Sequence, residues 1–273
     1  MAGRRRGAVA LLGCLALGAL GVTPGEAALL AQYQLEEAPT NGASLADSSG
    51  NGNGATLTST TASSVAGVVG NGINFGSDGY ASTVAAIAPS GAGERTIDTF
   101  FNPLSNGGPQ GQNAIFGYGN NTAGEYFQLT YENGASQGTG ADGLFLRHWG
   151  GWIQFGSGLG LMDAWHHLAV RVNPGATDFN DVDVFLDGTA LSVTAVSNAS
   201  ALSLGIATAE TNLVIGASIA NPLATRFNGS IDEFRIHDNA LSNGEIAAQA
   251  AIPEPSAALL GALGLLALVR RKR

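Results

Sequence analysis

Short apolar or alternating runs, broken by glycine at roughly the eight-to-twelve-residue interval of strand-rich domains, leave this chain little room for anything but β-structure. Forty of its 273 residues are glycine. The runs fall at 29–35, 73–75, 80–84, 96–101, 114–118, 126–131, 144–149, 152–155, 165–172, 182–186, 191–196, 213–216 and 231–236. Asn-Gly or Asp-Gly pairs beginning at Asn71, Asp142 and Asp187 are hairpin-turn signals. No long stretch carries a 3.6-residue apolar period. One short helix is expected after Ser242, where Glu245 stands three residues on, the spacing of a capping box, ahead of Ile246. Residues 41–65, crowded with Gly, Ser, Thr and Asn, read as a loop region. Together these signals predict an all-β fold, an antiparallel two-sheet sandwich over residues 28–250.

The two ends read differently. Arg4, Arg5 and Arg6 precede an apolar run over 8–22, and Gly25, Ala27 and Ala28 offer small residues for cleavage, so 1–27 is expected to be a secretion signal helix. The only cysteine, Cys14, lies inside that run, and its loss would exclude disulfides and thiolate metal sites from the remaining fold. At the other end, Pro253-Glu254-Pro255-Ser256 precedes an apolar stretch over 257–269, expected to be a short hydrophobic helix, and then Arg270, Arg271, Lys272 and Arg273. Thirteen apolar residues fall short of the ~20 needed for a stable span. A basic end would hold such a segment with its terminus on the cytoplasmic side, which implies a transient inner-membrane anchor.

Charge narrows the partners. Three of the twelve Lys and Arg residues lie in the leader and four in the tail, leaving five against nineteen acids in between, a charge near −14. Nucleic acid is excluded as a partner, since phosphate binding needs a basic surface.

The order of Pro-Glu-Pro motif, apolar segment and basic cluster over 251–273 resembles the PEP-CTERM sorting signal of Gram-negative bacteria. The resemblance implies an exosortase-type processing enzyme as partner, with Pro253, Glu254 and Pro255 as the recognised motif, and delivery to the cell surface or an extracellular matrix. The body resembles the laminin-G-like, concanavalin A-like jelly-roll family through an ordered set of pieces. These are 33–37, Asp47-Ser48-Ser49-Gly50-Asn51-Gly52-Asn53-Gly54, Gly72-Ile73-Asn74-Phe75, 165–170, 184–188, 215–217 and 227–236. One departure is Phe100-Phe101, where that family usually carries a tryptophan.

Three constellations could carry chemistry. Asp47, Asn51 and Asp232 are candidates for calcium, because the Gly/Asn-rich loop supplies carbonyls and Asp232 lies in an otherwise apolar run. The resemblance likewise implies a structural calcium between first loop and last strand. The alternative is that Asp47 and Asn51 form turns and Asp232 bonds backbone or Arg235. In Trp149-Gly150-Gly151-Trp152, a two-residue turn at the glycines would pair Trp149 with Trp152 and Arg147 with Gln154 on one face. Leu144, Leu146, Ile153 and Phe155 would then line the core face. Two indoles beside a guanidinium and an amide suit a sugar ring and its hydroxyls, although a cross-strand Trp pair also stabilises a hairpin unaided. His166 and His167, adjacent on a strand, must point to opposite faces and cannot simply share one ion. Asp181 and Asp183 read as a charged strand edge, and no Glu-x-Asp-x-Glu strand of the kind found in related glucanases is present. The expected function is a non-catalytic surface or matrix protein binding extracellular polysaccharide or another surface component. The rivals are a ligand-free structural spacer and a glycoside hydrolase.

Overall fold

The computed structural model describes residues 28–104, 112–149, 151–197, 205–222 and 225–251. The expected leader over 1–27 and the motif Pro253, Glu254 and Pro255 with its apolar segment lie outside them. Within them the chain forms two antiparallel sheets and very little helix. No helix among the described residues is long and apolar enough to cross a membrane.

One sheet runs, edge to edge, Val193–Val196, Trp152–Phe155, Gly143–Arg147, Tyr126–Glu132, Ala114–Gly119, Asn212–Ile215, Tyr80–Ala86, Ala55–Thr58 and Ser44–Leu45. The other runs Thr189–Ala190, Val182–Leu186, His166–Val172, Arg95–Pro103, Gly229–His237, Asn71–Asn74 and Ser63–Ala66, with Leu29–Tyr33 also paired to Gly229–His237. Strand alternation supplies the core. Leu129, Leu144, Leu146 and Ile153 from the first sheet meet Ile97, Leu168, Val170 and Phe234 from the second, all buried in one cluster. Phe116 and Phe234 touch edge to face across the gap, with ring centroids 5.9 Å apart. Phe101, at the place where a tryptophan was expected, is fully buried in that core.

Three expectations need correction. The region read as loop, 41–65, contains the strands Ser44–Leu45, Ala55–Thr58 and Ser63–Ala66. Their inward residues Ala55 and Leu57 alternate with exposed threonines, and small or hydroxylated side chains give strands little apolar signal. A knot of hydrogen bonds in which Ser59, Thr60 and Thr61 donate to the Asp78 carboxylate ties this region to the turn before Tyr80–Ala86. Asn71 and Asp142 do not make the turns expected of them: Asn71 opens a strand and Asp142 immediately precedes one. Asp187-Gly188 does, with φ of 48° and 76°, joining Val182–Leu186 to Thr189–Ala190. The closing helix Asn243–Ala250 forms as read. The Ser242 hydroxyl accepts from the Glu245 N–H, and the Glu245 carboxylate accepts from the Ser242 N–H.

Candidate functional site

The Gly143–Arg147 and Trp152–Phe155 strands pair with Arg147 opposite Trp152 and Phe145 opposite Gln154. The expected pairing of Trp149 with Trp152 is therefore wrong by two residues. The ladder closes between His148 and Gly151, whose N–H and carbonyl are 3.3 Å apart, so the turn begins at Trp149 rather than at Gly150. Moving a two-residue turn back by one position slides the register by two, which leaves the side chains that remain in the two strands on the face expected of them. Arg147 and Trp152 do share the outer face of the sheet, and Leu144, Leu146, Ile153 and Phe155 face the core. Trp149 instead stands in the turn with φ 65°, 59% exposed. That conformation is uncommon for a bulky residue.

The outer face of this sheet is polar but closely bonded. From Tyr126–Glu132, alternate residues Tyr126, Gln128, Thr130 and Glu132 point outward, opposite the core residues Phe127, Leu129 and Tyr131. Glu132 is fully buried and grips Arg147 with both oxygens, at 2.8 Å from Nε and 2.6 Å from a terminal nitrogen. The Thr130 hydroxyl and the Gln137 amide also donate to Glu132. Tyr126 donates to Gln128 Oε1 and lies 2.6 Å from the Ser218 hydroxyl. Burial raises the Tyr126 phenol, against the opposing pull of the Ser218 hydrogen bond and of Arg147, so it remains a neutral donor at physiological pH. Phe145 sets the Trp152 indole by an edge-to-face contact at 5.3 Å.

Above these residues lies an open groove of about 580 Å³. Its walls combine the two indoles of Trp149 and Trp152, the Arg147 guanidinium and the Tyr126 phenol. Amides come from Gln112, Asn121 and Asn221, and hydroxyls from Ser197, Ser218 and Thr225. No carboxylate lines it among the described residues. Of the residues expected from the sequence, Arg147, Trp149 and Trp152 line this groove; the rest of its walls carry no local sequence signal, because strand order and not chain proximity brings them together. Gln154, also expected at the site, is buried, donates to the Ala141 carbonyl and does not line the groove.

The expected calcium residues do not form one site. The Asp47 carboxylate accepts from the N–H groups of Gln32, Ser49 and Asn53, and Asn51 donates its amide to the carbonyls of Leu29 and Leu30. Donors thus already point at the oxygens a cation would require. Asp232 belongs to another set: one oxygen accepts from Val68 and Val69, and the other is buried without a partner. Gly67 lies so close that a Cβ there would come within 2.5 Å of this carboxylate. Among the described residues no group of three or more His, Cys, Asp or Glu side chains is placed to hold a metal. The arrangement does not fit one ion shared by the three side chains: Asp47 accepts the N–H groups of its own loop and Asn51 ties that loop to the Leu29–Tyr33 strand.

The remaining candidates also resolve into structural bonds. His166 reaches Asp187 at 2.9 Å, while His167, buried on the opposite face, reaches Asp98 at 3.4 Å. Burial alone would raise the Asp98 carboxyl, but bonds from His167 and His237 and the charge of Arg235 hold it below the usual range. Asp181 is not on a strand edge: it closes a capping box on the short turn Phe179–Asp181. Asp183 pairs with Arg171 at 2.6 Å.

Comparison with known proteins agrees with this architecture. A family model of the concanavalin A-like lectin/glucanases superfamily matches residues 75–247, well over half the chain, and the chain belongs to that family. No relative was found among curated protein sequences. Among solved structures, domain 4 of AbnA, an extracellular arabinanase of Geobacillus stearothermophilus in complex with arabinotriose, is similar over 82% of this chain and 99% of its own, with TM-score 0.55 and 19% identity. The binding domain of Paraclostridial Mosquitocidal Protein 1 is similar over 81% of this chain and 51% of its own, with TM-score 0.56 and 15% identity. A Trypanosoma rangeli sialidase in complex with the inhibitor DANA is similar over 85% of this chain and 34% of its own, with TM-score 0.52 and 16% identity. At these identities the likeness is one of fold. This chain spans about half of the second protein and a third of the third.

Proposed function

We propose that this concanavalin A-like domain holds an extracellular glycan in the groove between Trp149 and Trp152, without hydrolysing it. The observation that carries this reading is the composition of the walls: two indoles with a phenol, amides and hydroxyls around an open volume of about 580 Å³. Indole faces suit the C–H faces of a pyranose or furanose, and the polar groups suit its hydroxyls. The strained backbone at Trp149 supports the same reading, since an exposed aromatic kept in the left-handed region has no packing role to justify it. Glycoside hydrolysis in its usual form needs two carboxyl groups flanking the scissile bond. The groove presents none among the described residues, which supports a binding role over a catalytic one. That the similar arabinanase domain was solved with arabinotriose is in keeping with a sugar ligand.

The surface destination rests on the sequence alone. The Pro253-Glu254-Pro255 motif, apolar segment and basic end resemble a PEP-CTERM tail. On this reading the chain is exported, held briefly at the inner membrane, cleaved by an exosortase-type enzyme and left at the cell surface or in its matrix. Binding of the purified protein to a panel of polysaccharides, compared with Trp149→Ala and Trp152→Ala, tests the groove. Selective binding weakened by both changes is expected. Binding indifferent to both, or absent across the panel, leaves a ligand-free spacer.

A further inference from the structure

Resting on the glycan-binding reading, we propose that Glu132 sets the ligand class of the groove to neutral glycans and excludes uronate- or sialate-bearing ones. Arg147 is the one cationic side chain lining the groove among the described residues. An available guanidinium there would select for a sugar carboxylate, because a planar fork meets a carboxylate through two parallel hydrogen bonds. In this protein that fork is already taken. Glu132 receives it at 2.8 and 2.6 Å.

Glu132 has no freedom to release it. Its side chain is fully buried, and it also accepts from the Thr130 hydroxyl and from the Gln137 amide at 3.2 Å. Thr130 in turn lies on the same strand, between Ala114 and Phe145 in the sheet. The pair therefore presents no net charge to a ligand. Arg147 retains N–H groups that Glu132 does not use, and these can donate to a hydroxyl. Every other polar side-chain group in the walls is neutral: an amide, a hydroxyl, a phenol or an indole N–H. A sugar carboxylate entering the groove would lose its water and find no free cation. The field around it is also unfavourable, with 21 acidic against 12 basic residues in the chain. Glu132 thus acts on specificity through Arg147 and need not touch the ligand.

The test compares neutral polysaccharides (an arabinan and a β-glucan) with acidic ones (polygalacturonate and polysialic acid), for wild type and Glu132→Gln, at low and high sodium chloride. The wild type is expected to bind a neutral polymer with little dependence on salt, and acidic polymers roughly tenfold more weakly or not at all. Glu132→Gln, which frees the guanidinium while keeping the side chain's shape, is expected to gain acidic-polymer binding that high salt removes. The wild-type comparison stands by itself if the variant does not fold. Wild-type preference for an acidic polymer, salt-sensitive and abolished by Arg147→Gln, would overturn the assignment of Glu132 while leaving glycan binding intact. Wild-type binding to neither class overturns both.

Discussion

Trp149 and Asp232 are two of the described residues whose environments work against local stability. A tryptophan at φ 65° costs on the order of 1 kcal/mol relative to glycine at the same place, and being 59% exposed it recovers little of that by packing. Trp149→Gly should therefore leave thermal stability unchanged or slightly raised. Its glycan affinity should nevertheless drop several-fold, the scale of an aromatic contact worth about 1 kcal/mol. Paired melting and titration of this variant check both halves. Asp232 is pushed up to about 6, chiefly by burial and also by the charge of Glu233, with the Val69 and Val68 N–H bonds pulling the other way. A carboxyl raised above its unfolded value of 3.8 binds its proton more tightly when folded. Its contribution thus favours folding at low pH and fades as pH rises through about 6. Asp232→Asn, which keeps an acceptor for Val68 and Val69, should match wild-type stability below about pH 4. It should exceed it by on the order of 2–3 kcal/mol above pH 6. Denaturant unfolding across that range would refute this if the two curves stayed parallel.

At the scale of elements, the Gly143–Arg147 and Trp152–Phe155 hairpin shows why part of the site was readable and part was not. Alternation assigned Leu144, Leu146, Ile153 and Phe155 to the core, because only one of two faces can hold them. By turn propensity Gly150-Gly151 is the better pair, yet the ladder closes at His148 and Gly151. His148 helps to explain this choice. It is fully buried, its ring lies 4.8 Å from Phe179, and that packing fixes the strand end one residue earlier than turn propensity would. Gln154 lies off the groove for a related reason. It keeps the outer face, but its amide lies over Gly143 and donates to the Ala141 carbonyl, away from the groove. Tyr126 and Glu132 were invisible as site residues, since nothing in a linear sequence says which strand lies beside Arg147. The helix Asn243–Ala250 was legible because its signal is local, a hydroxyl and a carboxylate three residues apart. Ser242→Ala should cost about 1 kcal/mol of stability, measured by denaturant unfolding, and leave glycan binding intact.

For the whole molecule, the two sheets bury one continuous core, and among the described residues there is no thiol and no cluster of three or more His, Cys, Asp or Glu side chains placed to hold a metal, so packing is expected to carry the sandwich. Melting curves with and without a calcium chelator should coincide. A fall in melting temperature on chelation, restored by calcium, would show that an ion binds the folded state and would reopen the role of Asp47, Asn51 and Asp232. The central claim is that sugar sits against the indoles of the groove, and the chain offers a direct probe of it. Only three tryptophans are present, and Trp165 is the one outside the groove. Trp165→Phe leaves tryptophan emission from Trp149 and Trp152 alone. Titrating this variant with a neutral polysaccharide that binds the wild type should give a saturable emission shift whose midpoint matches calorimetric affinity. Full calorimetric binding with no change in emission would contradict the account.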